Sequence, residues 1–416
     1  MKIVKLTTSF GRALLQKRQQ RDLKAQQIAA RIIADVRRHG DEALLRWTQK
    51  LDGIDLGAGM WVATPEIAAA GAAVSKELRR ALAHAERNIR RVAEKQLPRG
   101  WTLEVERGVK IGQVVRPLES VGCYIPGGRY SLLSTLLMTV IPAQVAGVKR
   151  IIVVSPRPNA ELLAAAHLLG VERLARAGGA QAIAALAYGT KTITAVDKIF
   201  GPGNRFVTAA KQLVSADCGI DLSAGPTEAI VLARTGNPQW IAADLIAQAE
   251  HAPDAGSFLV TPSRDLAVRT QTEIRRQLQI LPKSNPAHLS LLRAGGILLA
   301  PSMDAACEFV NRFGPEHLSL PAGAGLLLEK IRAAGTIFLG PWSAQAFGDY
   351  ASGSNHVLPT AGWARARGGL TTADFVKCIS VQSINREGLK YLADDVQVLA
   401  RAEGLLGHAK AVEVRQ

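Results

Sequence analysis

Cysteine is scarce in this sequence, and its residues are not arranged for crosslinking or metal binding. Four cysteines stand at positions 123, 218, 307 and 378 of 416, and no two of them form a CxxC pair. This spacing argues against a disulfide framework and against a zinc centre built from thiolates. We therefore expect the protein to work in a reducing compartment, the cytoplasm.

Two further absences narrow the class of protein. No GxGxxG fingerprint is present, so a dinucleotide, if one binds, does so without the standard phosphate turn. Met1–Phe10 is not followed by an apolar run, which predicts no signal peptide. The longest apolar stretch, Leu132–Val148, is interrupted by Pro142 and Gln144. It predicts a buried segment of an α/β core, and we expect no association with a membrane.

Positive charge is in excess, and half of the excess lies near the N-terminus. The net charge is +16, and residues 1–50 contain 12 Lys and Arg against 4 Asp and Glu. Such a run is compatible with nucleic-acid binding or with a solvated helix face. No aromatic residues are interleaved with the charges as a nucleic-acid surface would have them, so the sequence favours the solvated face and no nucleic-acid partner.

Alternation of short apolar runs, glycine turns and helical segments predicts an α/β protein. Ile151–Val154 is predicted to be a strand, followed by a helix at Ala160–Leu169. The same order of strand and helix begins again with the predicted strand Ala229–Leu232. Such repetition is typical of βαβ units in parallel sheets. Two units of about 110 residues, at roughly 100–200 residues per domain, indicate a two-lobed enzyme with a cleft. Ligands are then expected at the carboxyl ends of the strands.

The flanking regions read as helical. The repeat of Ile28, Ile32 and Val36 predicts an amphipathic helix that breaks at Gly40. The predicted division has four parts. Residues 1–118 form a helical N-terminal region that packs on the second lobe, and residues 119–228 form a first α/β lobe that contacts a dinucleotide. Residues 229–368 form a second α/β lobe with the catalytic chemistry, and residues 369–416 form a small helical tail.

Three local patterns contain residues that could bind a metal or take part in catalysis. Gln248 and His251 are three residues apart, which places them on one face of a predicted helix. Such a pair is more often structural than metal-binding, but Asp349 and His408 would extend it to an N/O ligand set that suits an open Zn²⁺ site. Glu316-His317 could act in proton transfer or be a structural pair at a helix end. Cys123 could be a nucleophile, but no histidine is near it in sequence, which favours a packed thiol.

These patterns fall within a larger set of motifs that resembles the histidinol dehydrogenase family from about residue 20 to the end. The motifs, in order, are Val121–Gly128, Asp197–Asn204, Ala224–Glu228, Gln248–His251, Gly314–Leu318, Gly348–Tyr350, Asn355–Pro359 and Ala402–His408. So many motifs in one order and spacing make the resemblance highly specific.

The resemblance implies a role for twelve residues. Gln248, His251, Asp349 and His408 match zinc ligands, with one Zn²⁺ per subunit. Glu316 and His317 match a catalytic pair, and Tyr124, Gln181 and Asn204 match positions that contact NAD. Thr227, His356 and Glu403 match substrate contacts, as do His317 and the four zinc ligands. It also implies two Rossmann-like lobes like those of aldehyde dehydrogenases, and a homodimer in which the tail carries Glu403 and His408 into the partner's site.

The reaction implied by the resemblance oxidises L-histidinol to L-histidine with two NAD⁺, by way of a bound aldehyde, in histidine biosynthesis. Two departures from the family pattern leave open an alternative, a related dehydrogenase that acts on another small alcohol. Thr227 stands where serine is usual, and Arg129–Met138 differs from the commoner Tyr-Pro-Ser-Ser form. A protein that binds zinc or nucleic acid without catalysis is a further alternative, against which the adjacent Glu316 and His317 argue.

Overall fold

The computed structural model describes residues 1–18, 22–55, 59–127, 132–222, 225–321 and 327–416. Two parallel sheets, each covered by helices, form the body of the molecule, which confirms the predicted α/β class. Three parts of the predicted motifs, namely Gly128, Arg129–Ser131 and Ala224, lie outside the described residues.

The N-terminal region contains a short strand, four helices and two long strands. In chain order these are β1 (Ile3–Lys5), α1 (Thr8–Arg18), α2 (Leu23–Asp52), α3 (Thr64–Ala73), α4 (Lys76–Gln96), β2 (Trp101–Glu106) and β3 (Val109–Pro117). Helix α2 is broken at Gly40, whose φ of 55° and ψ of −128° are not helical. Glycine tolerates this conformation because it has no Cβ, and the break confirms the one predicted there.

The first sheet has five parallel strands in the order β6-β5-β4-β7-β8. Its elements are β4 (Ser120–Tyr124), α5 (Leu133–Ala146), β5 (Arg150–Val154), α6 (Ala160–Leu168), β6 (Leu174–Ala175), α7 (Gly179–Tyr188), β7 (Lys198–Phe200), α8 (Arg205–Val214) and β8 (Gly219–Ile220). Helix α5 is buried on almost every face, which explains why its sequence is apolar without a helical period.

The second sheet has six parallel strands in the order β1-β11-β10-β9-β12-β13. Besides β1, its elements are β9 (Glu228–Leu232), α9 (Pro238–Ala249), β10 (Gly256–Thr261), α10 (Arg264–Leu278), α11 (Ala287–Arg293), β11 (Gly296–Leu299), α12 (Met303–Phe313), β12 (His317–Leu320), β13 (Thr336–Leu339) and α13 (Gln345–Tyr350). No helix in the described ranges is long and apolar enough to cross a membrane.

The sequence predicted that the N-terminal region packs on the second lobe, but in the structure the region packs on both lobes. β1 pairs with β11 of the second sheet, and side chains of α1 contact the apolar core on one face of that sheet. Helices α2, α3 and α4 instead pack on helices of the first sheet, namely α7, α8, α6 and α5. The apolar stripe of α2 predicted that the helix is buried but carried no information about which sheet covers it.

The C-terminal tail contains a strand that the prediction of a helical tail missed. β14 (Val376–Ile384) pairs antiparallel with β3, which also pairs with β2, and the helices α14 (Arg386–Ala402) and α15 (Leu406–Glu413) follow. We call β2, β3, β14, α14 and α15 the arm. Its outer strands are largely exposed, and the main packing partner of α15 is α14.

Candidate active site

The candidate catalytic residues lie at one edge of the second sheet, where its strands begin. Glu316 precedes β12, and His317 is the first residue of that strand. Thr227 precedes β9, the parallel neighbour of β12, with His317 in register with Ala229. The sequence predicted ligand sites at the carboxyl ends of the strands, and the structure differs from this prediction. In this sheet the polar residues gather at the amino ends.

Glu316 is buried and held by two donors. Its Oε2 accepts a hydrogen bond from the Thr227 hydroxyl and another, at 2.8 Å, from the backbone N–H of Glu228. Burial raises the pKa of Glu316 to about 7, although His317 and the two hydrogen bonds oppose the rise. A carboxyl group with that pKa gains or loses a proton near neutrality, as a general acid or base must.

The imidazole of His317 lies between two carboxylates. Its Nδ1 is 3.7 Å from Glu316 Oε2, and its Nε2 is 3.6 Å from Asp349 Oδ1. Burial lowers the pKa of His317, but the charges of Glu316 and Asp349 outweigh it, so the pKa is raised. The ring stacks on Phe338 with centroids 5.9 Å apart. Nδ1 is buried and has no hydrogen-bond partner among the described residues.

Gln248 is buried in the last turn of α9 and joins this cluster through Thr227. Its Nε2 donates to Thr227 Oγ1 at 2.6 Å, so the hydroxyl of Thr227 bridges Gln248 and Glu316. The prediction that His251 shares a helix with Gln248 is wrong, because α9 ends at Ala249. His251 lies in the following turn, exposed to solvent. Pro253 follows shortly after this end, at a distance where a proline is common beyond a helix.

Asp349 and His356 complete the cluster from the side of α13. Burial raises the pKa of Asp349, but His317, His356 and His251 together lower it below its usual value, so Asp349 is a carboxylate at neutral pH. His356 places Nδ1 2.9 Å from the backbone oxygen of Asp349 and Nε2 3.1 Å from Thr135 Oγ1. Because Thr135 lies in the first turn of α5, this contact joins the two lobes.

The residues predicted to contact NAD lie at the carboxyl edge of the first sheet. Tyr124 ends β4, and its hydroxyl accepts a hydrogen bond from Gly179 N at 3.2 Å. Gln181 Nε2 donates to Asp52 Oδ2 at 3.0 Å, whereas its buried Oε1 has no partner among the described residues. Asn204 caps α8 by accepting from two backbone N–H groups. The orphaned Gln181 oxygen suits a donor such as a ribose hydroxyl.

Two predicted residues are not brought to this cluster. Glu403 caps the end of α14 and His408 lies on α15, and both are exposed. Without His408 the chain supplies an amide, an imidazole and a carboxylate, from Gln248, His251 and Asp349. These donors suit Zn²⁺. Within the described residues no three His, Cys, Asp or Glu side chains are placed to hold a metal ion, so the single chain offers only part of a site.

Sequence reasoning missed several side chains around the cluster. Phe338 and Thr135 contact its histidines, and Asp52 contacts Gln181; no sequence pattern marks any of the three. Glu228 could have been found, since it ends a predicted motif beside Thr227. Cys123 is buried with its pKa raised by burial to about 12, which favours the packed thiol over the nucleophile.

Comparison with known proteins identifies relatives along almost the whole chain. A family model for histidinol dehydrogenase matches residues 15–416. The histidinol dehydrogenase of Methanothermobacter thermautotrophicus is 47% identical over 394 residues, which cover 93% of this chain and 92% of the relative. That of Escherichia coli is 44% identical over 390 residues, with 92% and 89% covered.

Solved structures agree with the sequence relatives. A crystal structure of histidinol dehydrogenase from Elizabethkingia anophelis has a TM-score of 0.93 at 39% identity, covering 100% of this chain and 98% of that one. An acetylating aldehyde dehydrogenase from Geobacillus thermoglucosidasius has a TM-score of 0.50 at 12% identity, with 88% and 98% covered. The second likeness concerns the fold alone, and it confirms the predicted aldehyde dehydrogenase-like architecture.

Proposed function

Since this chain belongs to the histidinol dehydrogenase family, we propose that it oxidises L-histidinol to L-histidine in two NAD-dependent steps of histidine biosynthesis. The observation that carries the proposal is the buried pair of Glu316 and His317, held by Thr227 and Glu228 at the mouth of the second sheet. A carboxyl group with a pKa of about 7 beside an imidazole suits a reaction that removes a proton at each oxidation.

His317 is the general base of both steps in this proposal. It takes the hydroxyl proton as the alcohol is oxidised, and Asp349 and Glu316 stabilise the imidazolium that forms. Glu316 then removes a proton from the water that adds to the bound aldehyde, while the His317 imidazolium returns its proton to the aldehyde oxygen. His317, neutral again, accepts a hydroxyl proton of the resulting hydrate in the second oxidation. NAD⁺, when bound, accepts a hydride in each step. Tyr124, Gln181 and Asn204 are its proposed contacts.

Four residues are proposed to hold one Zn²⁺ per subunit: Gln248, His251, Asp349 and His408. Bound zinc supplies a Lewis acid that fixes the nitrogen atoms of the substrate. Thr227, His356 and Glu403, together with His317 and the zinc ligands, form the proposed substrate pocket. Fixing the substrate raises its effective concentration at the base and retains the reactive aldehyde.

We propose further that the active site is shared between two subunits of a homodimer. Glu403 and His408 lie on the arm, which exposes large apolar residues such as Leu406, 69% exposed, and Val398. The rim of the candidate site at α13, the helix that carries Asp349, exposes aromatic residues in turn, with Phe347 59% and Tyr350 57% exposed. Apolar surfaces of this kind are typical of interfaces. An arm of one subunit that covers the rim of the other would bring its ligands to the cluster.

The division into lobes, with boundaries at residues 118, 228 and 368, and a cytoplasmic location belong to the same proposal. All four cysteines are free thiols, which suits a reducing compartment. The departure at Thr227 is compatible with the proposed function, because its hydroxyl makes the bond to Glu316 that serine could also make. A related dehydrogenase that acts on another small alcohol remains the alternative.

One assay tests the proposal. The purified protein, loaded with zinc, is given NAD⁺ and a panel of small alcohols that includes L-histidinol, and NADH absorbance is followed. We expect two NADH for each L-histidinol consumed. Reduction with a different alcohol but not with L-histidinol would refute the proposed substrate and support the alternative.

A further inference from the structure

We propose that Arg18, the last residue of α1, is a positioning residue for Glu316. This inference rests on the function proposed above, in which Glu316 activates water for the oxidation of the aldehyde. Arg18 is remote in sequence from the candidate catalytic pair and belongs to none of the motifs. It acts through two segments of chain: the start of β9, which binds the Glu316 carboxylate, and the end of α12, which leads into Glu316.

The first segment is the start of β9. Arg18 Nε is 2.5 Å from Glu228 Oε1, and Nη2 donates to Glu228 Oε2, so the two side chains form a bidentate pair that is almost buried. The backbone N–H of Glu228 is the group that donates to Glu316 Oε2 at 2.8 Å. By fixing the side chain of Glu228, Arg18 fixes the peptide that binds the Glu316 carboxylate.

The second segment is the end of α12. Arg18 Nη1 donates to the backbone oxygen of Phe313 at 2.8 Å, and the guanidinium lies 3.4 Å from the centroid of the Phe313 ring. Phe313 ends α12, three residues before Glu316. One guanidinium therefore holds both the chain that leads into Glu316 and the peptide that receives its carboxylate.

These contacts require arginine. The planar guanidinium offers two parallel N–H groups to Glu228, a further edge to the Phe313 carbonyl and a flat face to the Phe313 ring, whereas lysine offers a single ammonium point. Stability alone does not account for the pair, because buried ion pairs are often no more stabilising than apolar residues of similar volume. What the pair supplies is a defined geometry beside a reacting group.

The test compares the two half-reactions, with L-histidinol and with L-histidinal as substrates, in the zinc-loaded full-length protein. The double variant Arg18→Met with Glu228→Gln removes the pair without leaving an unpaired buried charge. We expect the kcat for aldehyde oxidation to fall about 10- to 100-fold, as small misplacements of catalytic groups do. We expect alcohol oxidation to fall much less, and zinc content and the KM for NAD⁺ to stay near those of the wild type.

Two further variants keep the test sharp if the double variant does not fold. Arg18→Lys keeps the charge and loses the fork, so we expect the same selective loss. Arg12→Ala removes an exposed arginine from the same helix and should leave both half-reactions unchanged. Wild-type rates in Arg18→Lys, or an equal loss of both half-reactions, would overturn the positioning role. Failure of the wild type to oxidise L-histidinol would instead refute the proposed function.

Discussion

The buried pair of Lys211 and Asp221 offers a quantitative test of how the first lobe is held together. The two side chains are only 3% and 0% exposed and contact one another directly. Lys211 Nζ also donates to the backbone oxygen of Gly201 at 2.9 Å, and Asp221 accepts from Gly201 N at 2.7 Å. The pair thus hydrogen-bonds to both the backbone N–H and the backbone oxygen of Gly201, the first residue of the turn that leads to Asn204.

The perturbation is Lys211→Met, which keeps the length of the side chain and removes its charge. Asp221 would then be a buried carboxylate without a counter-charge, and breaking such a pair costs about 3–5 kcal/mol. Asp221 retains its bonds from Gly201 N and Leu222 N, which places the expectation near the lower end, about 3 kcal/mol. Adding Asp221→Asn removes the unpaired charge, and the double variant should lose only about 1–2 kcal/mol.

The assay is unfolding in urea, with the free energy extrapolated to zero denaturant and the m-values compared. Lys191→Met, at an exposed position, is the matched control and should stay within about 0.5 kcal/mol of the wild type. Because Gly201 leads to Asn204, the KM for NAD⁺ should rise in Lys211→Met while zinc content is unchanged. A double variant that is no more stable than Lys211→Met would refute the reasoning, since the unpaired charge would then not be the cause.

Three further outcomes are expected from the proposed roles. His251→Ala should lose tight zinc binding and activity while remaining folded, as metal analysis and circular dichroism would show; full zinc occupancy would contradict the ligand assignment. Glu316 is neutral below its pKa of about 7 and a carboxylate above it, so the rate of aldehyde oxidation should rise with pH through 7 more steeply than that of alcohol oxidation, which depends on His317 alone. Glu316→Gln should remove this difference and slow aldehyde oxidation by about 10²–10⁴-fold; an unchanged profile would exclude Glu316 as the base that activates water. Mixing inactive His251→Ala and His408→Ala subunits under conditions of exchange should restore activity, because one hybrid site carries neither lesion; exchange without recovery would place His408 in the site of its own chain.

The sequence sufficed to predict the sheets because their strands are short apolar runs between glycine turns. The strand predicted at Ile151–Val154 is β5, which begins one residue earlier, and that at Ala229–Leu232 is β9. Parallel strands buried on both faces leave such a signal in any sequence. Glu316 and His317 could be singled out because they are adjacent and no fold is needed to bring them together.

Features that depend on distant parts of the chain were not predictable in this way. β14 is exposed and pairs with β3, more than 250 residues earlier, so its own composition gives little indication of a strand. The i, i+3 spacing of Gln248 and His251 assumed a continuous helix, and the helix ends between them. The candidate cluster at the amino edge of the second sheet includes a contact between the two lobes, from His356 to Thr135, and no local pattern encodes how the lobes face each other.

The first strand of the chain has a consequence for the order of folding. β1 pairs with β11, with Ile3 opposite Ile297, so the edge of the second sheet closes only after nearly three hundred residues have been synthesised. At about 5–20 residues per second, translation leaves β1 without its partner for roughly 15–60 s. Contacts so far apart in sequence also slow folding. β1 therefore stays unpaired until β11 has been synthesised, and a chain truncated before β11 would expose an unpaired strand.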